Sequence, residues 1–150
     1  MTEDTMGVVS SKSSLSRTHD TPAEAGFHRC WYPVCLSRDL TAEAPVGRNF
    51  LGTRVLAWRD PAGRAVVQGA YCPHLGADLS IGQVIEGRLR CPHHHWSFDG
   101  AGARVHIPAG GKIPGAARLF AYPTAKAWGV VWAFARHRRR DARAGLPPRP

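Results

Sequence analysis

The 150-residue sequence predicts an all-β fold, an antiparallel β-sandwich, on three observations. From Phe27 onward the chain runs in short apolar or alternating stretches separated by turn residues. No segment longer than ten residues carries a sustained 3.6-residue apolar period, so helices are not expected. Two separators have hairpin chemistry. Asp60-Pro61-Ala62-Gly63 puts Pro where its fixed φ suits a turn, and Asp99-Gly100-Ala101-Gly102 supplies residues that tolerate positive φ.

Taken in order, residues 1–25 are rich in Ser and Thr and nearly free of large apolar side chains, so they cannot offset the entropy of ordering and are expected to be disordered. A folded domain is expected over 26–135. Its strands are expected at Trp31–Leu36, Leu51–Arg59, Ala65–Ala70, Gln83–Arg90, Arg104–Ile107, Leu119–Ala127 and Gly129–Ala135. In the last of these, Val130, Trp132 and Phe134 alternate with Val131, Ala133 and Ala135, the period of a half-buried sandwich edge. Residues 136–150 form a basic Pro/Arg-rich tail, expected to be disordered. No larger unit repeats.

Composition excludes several classes. Lys and Arg number 20 against 11 Asp and Glu, a formal charge of +9, and hydrophobic residues make up 43%. No apolar run approaches the ~18 residues of a membrane span, and the acidic start, Met1-Thr2-Glu3-Asp4, is unlike a secretory leader. The expectation is a soluble cytoplasmic protein with no membrane partner. The tail holds six arginines and one aspartate, +5 of the +9. A nucleic-acid binder would array its cations on a folded face with aromatics among them, so the tail reads as a solvated segment and nucleic acid as a disfavoured partner.

Four cysteines are too few for a disulfide-built scaffold of this size, and a cytosolic chain keeps them reduced, which leaves metal or redox chemistry. Cys72-Pro73-His74 is followed, after sixteen residues, by Cys91-Pro92-His93-His94. Each loop offers one thiolate and one imidazole after an expected strand, so two hairpin tips can converge on one metal centre. Two readings follow. A tetrahedral zinc would take all four side chains, but zinc sites usually draw ligand pairs from wider Cys-Cys or His-His spacings. A Rieske [2Fe–2S] cluster takes two thiolates on one iron and two imidazoles on the other, so each loop must deliver one of each kind. Gly76 would let backbone approach an inorganic sulfide, Leu75 would shield the centre from water, and Pro73 and Pro92 would stiffen the loops.

The run Cys72-Pro73-His74 … Cys91-Pro92-His93-His94-His95-Trp96-Ser97-Phe98-Asp99-Gly100 resembles the Rieske motif of the ring-hydroxylating, non-haem iron oxygenases. The likeness extends to Trp31-Tyr32-Pro33-Val34, to Leu51-Gly52 through Trp58-Arg59-Asp60, to Ile107-Pro108 and to Gly129-Val130-Val131-Trp132, covering about residues 27–135. It implies a Rieske-type antiparallel β-sandwich with a small cluster-binding subdomain of two loops. It also implies one [2Fe–2S] cluster with Cys72, His74, Cys91 and His94 as its cofactor-binding and metal ligands. The family's Cys-x-x-His selects His94 from the run of three, with His93 and His95 as exposed neighbours. Cys30 and Cys35 are expected to be small reduced residues of the first strand, and His19, His28, His106 and His137 surface residues. Rieske proteins of respiratory and photosynthetic complexes resemble a version braced by a disulfide; the matching positions here are Ala77 and His93, which implies a potential near the low end of the range, about −150 mV.

The resemblance implies an oxidoreductase component that relays single electrons. A ferredoxin or flavin reductase would supply them, and a mononuclear iron that activates O₂ would take them. His74 and His94 would each bind through one ring nitrogen and turn the other N–H outward, coupling their protonation to cluster charge. Family members follow the Rieske domain with one that holds iron by two histidines and a carboxylate. After Ile107 only His137 remains, so no catalytic residue is assigned, and that iron is expected on a missing C-terminal domain or a separate oxygenase chain. The Arg-, Pro- and Ala-rich end reads as the close of a truncated or out-of-frame oxygenase gene, with a stand-alone subunit as the rival. A stand-alone Rieske-type ferredoxin carrier is the alternative function; Trp96 and the Trp31-Tyr32-Pro33-Val34 opening stand against it. Arg88, Arg90, His93 and His95 flank the second loop and suit an acidic electron donor. Trimeric family members make a homotrimer a further implication.

Overall fold

A computed structural model describes residues 27–108, 110 and 117–135; the expected disordered ends, 1–25 and 136–150, with His19 and His137, lie outside the described residues. Among the described residues there are eleven strands: β1 Trp31–Leu36, β2 Val46–Phe50, β3 Thr53–Arg59, β4 Ala65–Gly69, β5 Gln83–Ile85, β6 Arg88–Arg90, β7 Ser97–Phe98, β8 Arg104–His106, β9 Ala121–Tyr122, β10 Thr124–Ala127 and β11 Val130–Phe134. Their only helical pieces are the 3-10 turns Ser37–Asp39 and Leu79–Ile81. The strands pair antiparallel in three sheets, ordered β1-β11-β10, β2-β3-β4-β9 and β5-β6-β7-β8. The all-β, antiparallel expectation holds.

β3 is the hinge of the architecture, because Val55, Leu56, Ala57 and Trp58 are all fully buried. Successive strand side chains point to opposite faces. Val55 and Ala57 therefore join Phe50, Val67, Tyr122, Val131 and Ala133 in a core between the first two sheets. Leu56 and Trp58 join Cys72, Leu79, Leu89, Cys91 and Phe98 in a second core under the β5–β8 sheet. The second core contains both loop cysteines, so the apolar layer that holds the small sheet also seats the candidate site. Trp58 Nε1 donates to Gln68 Oε1 at 3.1 Å and Gln68 Nε2 donates to the Asp99 carbonyl at 2.8 Å, which satisfies a buried amide and joins the two hairpins.

Both expected turns form. Asp60 Oδ1 accepts from the N–H groups of Ala62 and Arg64, and Asp99 Oδ1 accepts from those of Ala101 and Ala103. Burial alone would raise the Asp60 pKa, but hydrogen bonds from Arg64 and Ala62 hold it below the ordinary value.

Four strand expectations need correction. The expected strand Leu51–Arg59 begins instead at Thr53, because Leu51 and Gly52, at φ +48° and +79°, form the tip of a hairpin whose first arm, β2, was missed. The expected strand Gln83–Arg90 is cut into β5 and β6 by Glu86-Gly87, at φ +51° and +66°. Leu119–Ala127 becomes β9 and β10, parted at Pro123, whose ring removes a ladder donor. β11 is not an edge. It lies between β1 and β10 and turns Val131 and Ala133 inward, while Trp128-Gly129 makes the turn before it. The two-residue strand β7, Ser97–Phe98, is an addition to the expected set.

Candidate metal centre

The two loops are built alike. In the first, between β4 and β5, the Cys72 N–H donates to the Ala77 carbonyl at 2.8 Å; in the second, between β6 and β7, the Cys91 N–H donates to the Trp96 carbonyl at 2.8 Å. The fifth residue of each loop is left-handed, Gly76 at φ +75° and His95 at φ +58°. This repeated turn sends each cysteine inward and brings His74 and His94 out to the tips. Cys72 and Cys91 are 3% and 1% exposed, whereas His74, His93, His94 and His95 are all exposed.

The imidazoles meet. His74 Nδ1 lies 3.1 Å from His94 Nδ1, with the rings at 70° to one another. His93 and His95 do not join this contact; His93 lies edge-on to His94 at 4.3 Å between ring centres. His74 also stacks on Trp96, 4.2 Å between centres and 16° from parallel.

Below them, burial pushes the Cys72 thiol up to about 11, the backbone N–H groups of His74 and Leu75 pull it down, and the neighbouring Cys91 adds to the rise. Desolvation holds His94 below the ordinary histidine value, and the imidazoles of His93, His74 and His95 push the same way. A neutral imidazole keeps a lone pair free for a metal.

The first loop is anchored by two residues that sequence reasoning gave no role. Asp78 accepts from Arg54 Nε of β3 at 2.8 Å and from the Ser80 N–H at 2.8 Å, while Arg54 also donates to Ser80 Oγ at 3.0 Å. Burial would raise the Asp78 pKa, but the bonds from Ser80 and Arg54 outweigh it and hold it below the ordinary value. The sequence carries no sign of this hook, since the two partners lie 24 residues apart.

All four cysteines are unbridged; Cys35 is buried in β1, but Cys30 is exposed and precedes that strand. His28 and His106 are exposed as expected. Leu75 is 69% exposed at the first tip.

Among the described residues, no three His, Cys, Asp or Glu side chains are placed to share one metal ion. The donors come instead as a buried thiol pair and an exposed imidazole pair. That division disfavours a single tetrahedral zinc and fits a two-iron cluster with sulfur ligands on one iron and nitrogen ligands on the other. The family described as Rieske [2Fe-2S] domain matches residues 30–123. This chain belongs to that family.

The cofactor of the Rieske domain is accordingly one [2Fe–2S] cluster, and the two-thiol, two-imidazole set is chemically suited to it. Aminopyrrolnitrin oxygenase PrnD of Pseudomonas fluorescens is 37% identical over 111 residues, which is 69% of this chain and 30% of that protein. Protein TIC 55, chloroplastic, of Arabidopsis thaliana is 38% identical over 107 residues, 69% of this chain and 20% of that protein. The crystal structure of dicamba monooxygenase with non-heme iron and dicamba matches at a TM-score of 0.69 and 33% identity, covering 73% of this chain and 33% of that one. The chain thus spans about a third or less of the length of these relatives. The Rieske domain here is of the kind found in oxygenase components, and among its described residues no helix is long and apolar enough to cross a membrane.

Proposed function

We propose that Cys72, His74, Cys91 and His94 hold the [2Fe–2S] cluster and that the chain relays single electrons through it to a mononuclear iron that activates O₂. The 3.1 Å approach of His74 Nδ1 to His94 Nδ1 above a buried thiol pair carries this reading. When bound, the cluster supplies a one-electron redox couple. The protein does the rest. The buried cysteines would keep their sulfur ligands from water and oxidants, and the exposed imidazole edges would bring the electron's exit to the surface. The loop N–H groups of His74 and Leu75 would stabilise sulfur-centred negative charge at Cys72.

Substrate oxidation belongs, on this reading, to a catalytic domain or separate chain that holds the second iron by two histidines and a carboxylate. The electron donor would be a ferredoxin or flavin reductase. Its acidic surface would meet the groove of about 340 Å³ whose lining includes Arg88, Arg90, His95 and His106. A cytoplasmic location is in keeping with four unbridged cysteines.

Anaerobic purification followed by absorption and EPR spectra and by iron, sulfide and zinc analysis tests the centre. Two iron and two sulfide per chain are expected. Colourless protein with one zinc would sink the reading. His94→Ala should lose the cluster while His93→Ala keeps it, and loss from both variants alike would void the choice of His94.

A further inference from the structure

Trp96 carries two flat groups, and only one of them is a candidate ligand. On its indole stacks His74, and the guanidinium carbon of Arg104 lies 4.2 Å from the centre of the same side chain's ring. Arg104 stands on β8, directly across from Phe98 of β7, which is in turn across from Leu89 of β6. It therefore occupies the inward row of the small sheet and is only 5% exposed. Neighbours in that row are apolar and fully buried. A leucine or methionine would fill the place without taking a cation out of water, a cost that a buried charge always bears.

We propose that Arg104, acting through Trp96, is a positioning residue that fixes the ring plane of His74 and raises the reduction potential of the centre. The first half follows from contact. A guanidinium over an indole face is held by cation–π attraction, and an indole so held presents a fixed surface on which the imidazole can stack. Ligand orientation at a metal is set by such outer partners. The second half follows from charge. The couple is one electron, taken from the donor and passed on, with no bond made or broken. Reduction adds one negative charge near His74, and a guanidinium that keeps its positive charge in a low-dielectric layer favours that state more than a solvated surface cation would. The inference rests on the reading of His74 as an iron ligand.

The test compares cluster-loaded wild type with Arg104→Met, Arg104→Lys and Trp96→Leu. Redox titration followed by EPR reads the potential, and pulsed EPR reads the couplings of the ligand nitrogens. Arg104→Met should move the midpoint to more negative potential, and Arg104→Lys, which keeps the charge, should recover most of the shift. Trp96→Leu should change the nitrogen couplings of one histidine. Loaded Arg104→Met protein with the wild-type potential, or an Arg104→Lys midpoint as negative as that of Arg104→Met, overturns the role of the charge. Unchanged couplings in Trp96→Leu overturn the positioning role, and if Arg104→Met does not fold, Arg104→Gln removes the charge in its place, a wild-type midpoint there overturning the role of the charge. Wild-type protein without iron and sulfide is a different failure, that of the ligand assignment itself.

Discussion

His95 shows how far a single residue can be read. It occupies the left-handed position that the first loop fills with Gly76, φ +58° against +75°, in a turn closed by the same backbone bond. A Cβ in that conformation costs roughly 1–2 kcal/mol, and glycine returns about 0.5–1 kcal/mol of that through its freer unfolded chain. His95→Gly should therefore stabilise the protein by about 0.5–1 kcal/mol, seen as a raised thermal midpoint at unchanged iron and sulfide content; an unchanged or lowered midpoint would mean that the His95 side chain makes contacts worth as much as the strain. The convergence of the two Cys-and-His loops is legible because residue types and spacing mark both of them. The strain at 95 was not, since nothing in three successive histidines marks the middle of a tight turn. Nor did Ala103-Arg104-Val105 announce that its cation would point inward beneath Trp96.

At the scale of elements, the readable signals were the apolar runs and the Asp-led turns, and the unreadable ones were two-residue tips. Leu51-Gly52, Glu86-Gly87 and Trp128-Gly129 all turn with positive φ at both residues, a geometry that suits the twist of paired strands. Their first residues look like strand or surface positions, so Gln83–Arg90 reads as one strand where a hairpin forms and the tip at Leu51 reads as the start of a strand, whereas the break at Trp128 between two strands is legible. Anchoring of the first loop was equally hidden, and it leads to a pH dependence. The Asp78 pKa is depressed in the folded state, so its contribution is present above the unfolded value near 3.9 and is lost as pH falls through the folded value. Asp78→Asn should cost about 1–2 kcal/mol at pH 7 from the weakened bonds to Arg54 and Ser80. The gap from wild type should close on acidification below pH 4. Denaturant unfolding at pH 7 and pH 3 measures it, and a gap that stays constant between them would show that the hook does not depend on the carboxylate's charge.

Across the whole molecule the question is where charge sits relative to the loop tips. Of the formal +9, +5 belongs to residues 136–150, so net charge alone says little about docking. Position says more. Arg88 and Arg90 project from β6 beside the second loop, in a groove shared with His95 and His106, and no ion pair ties either arginine to a carboxylate among the described residues. Unpaired cations around a site raise the encounter rate with an acidic partner, and added salt screens that attraction within about 10 Å at 0.1 M. Reduction by an acidic ferredoxin should therefore slow as ionic strength rises. The tail could impose a salt dependence of its own, so the decisive comparison uses two variants. Removing residues 136–150 should leave the slope of rate against ionic strength nearly unchanged, while Arg88→Glu with Arg90→Glu should flatten or invert it, because a reversed charge repels the donor where the native one draws it in. Stopped-flow reduction at several salt concentrations distinguishes the two, and a slope that follows the tail and ignores β6 would move the docking site away from the groove.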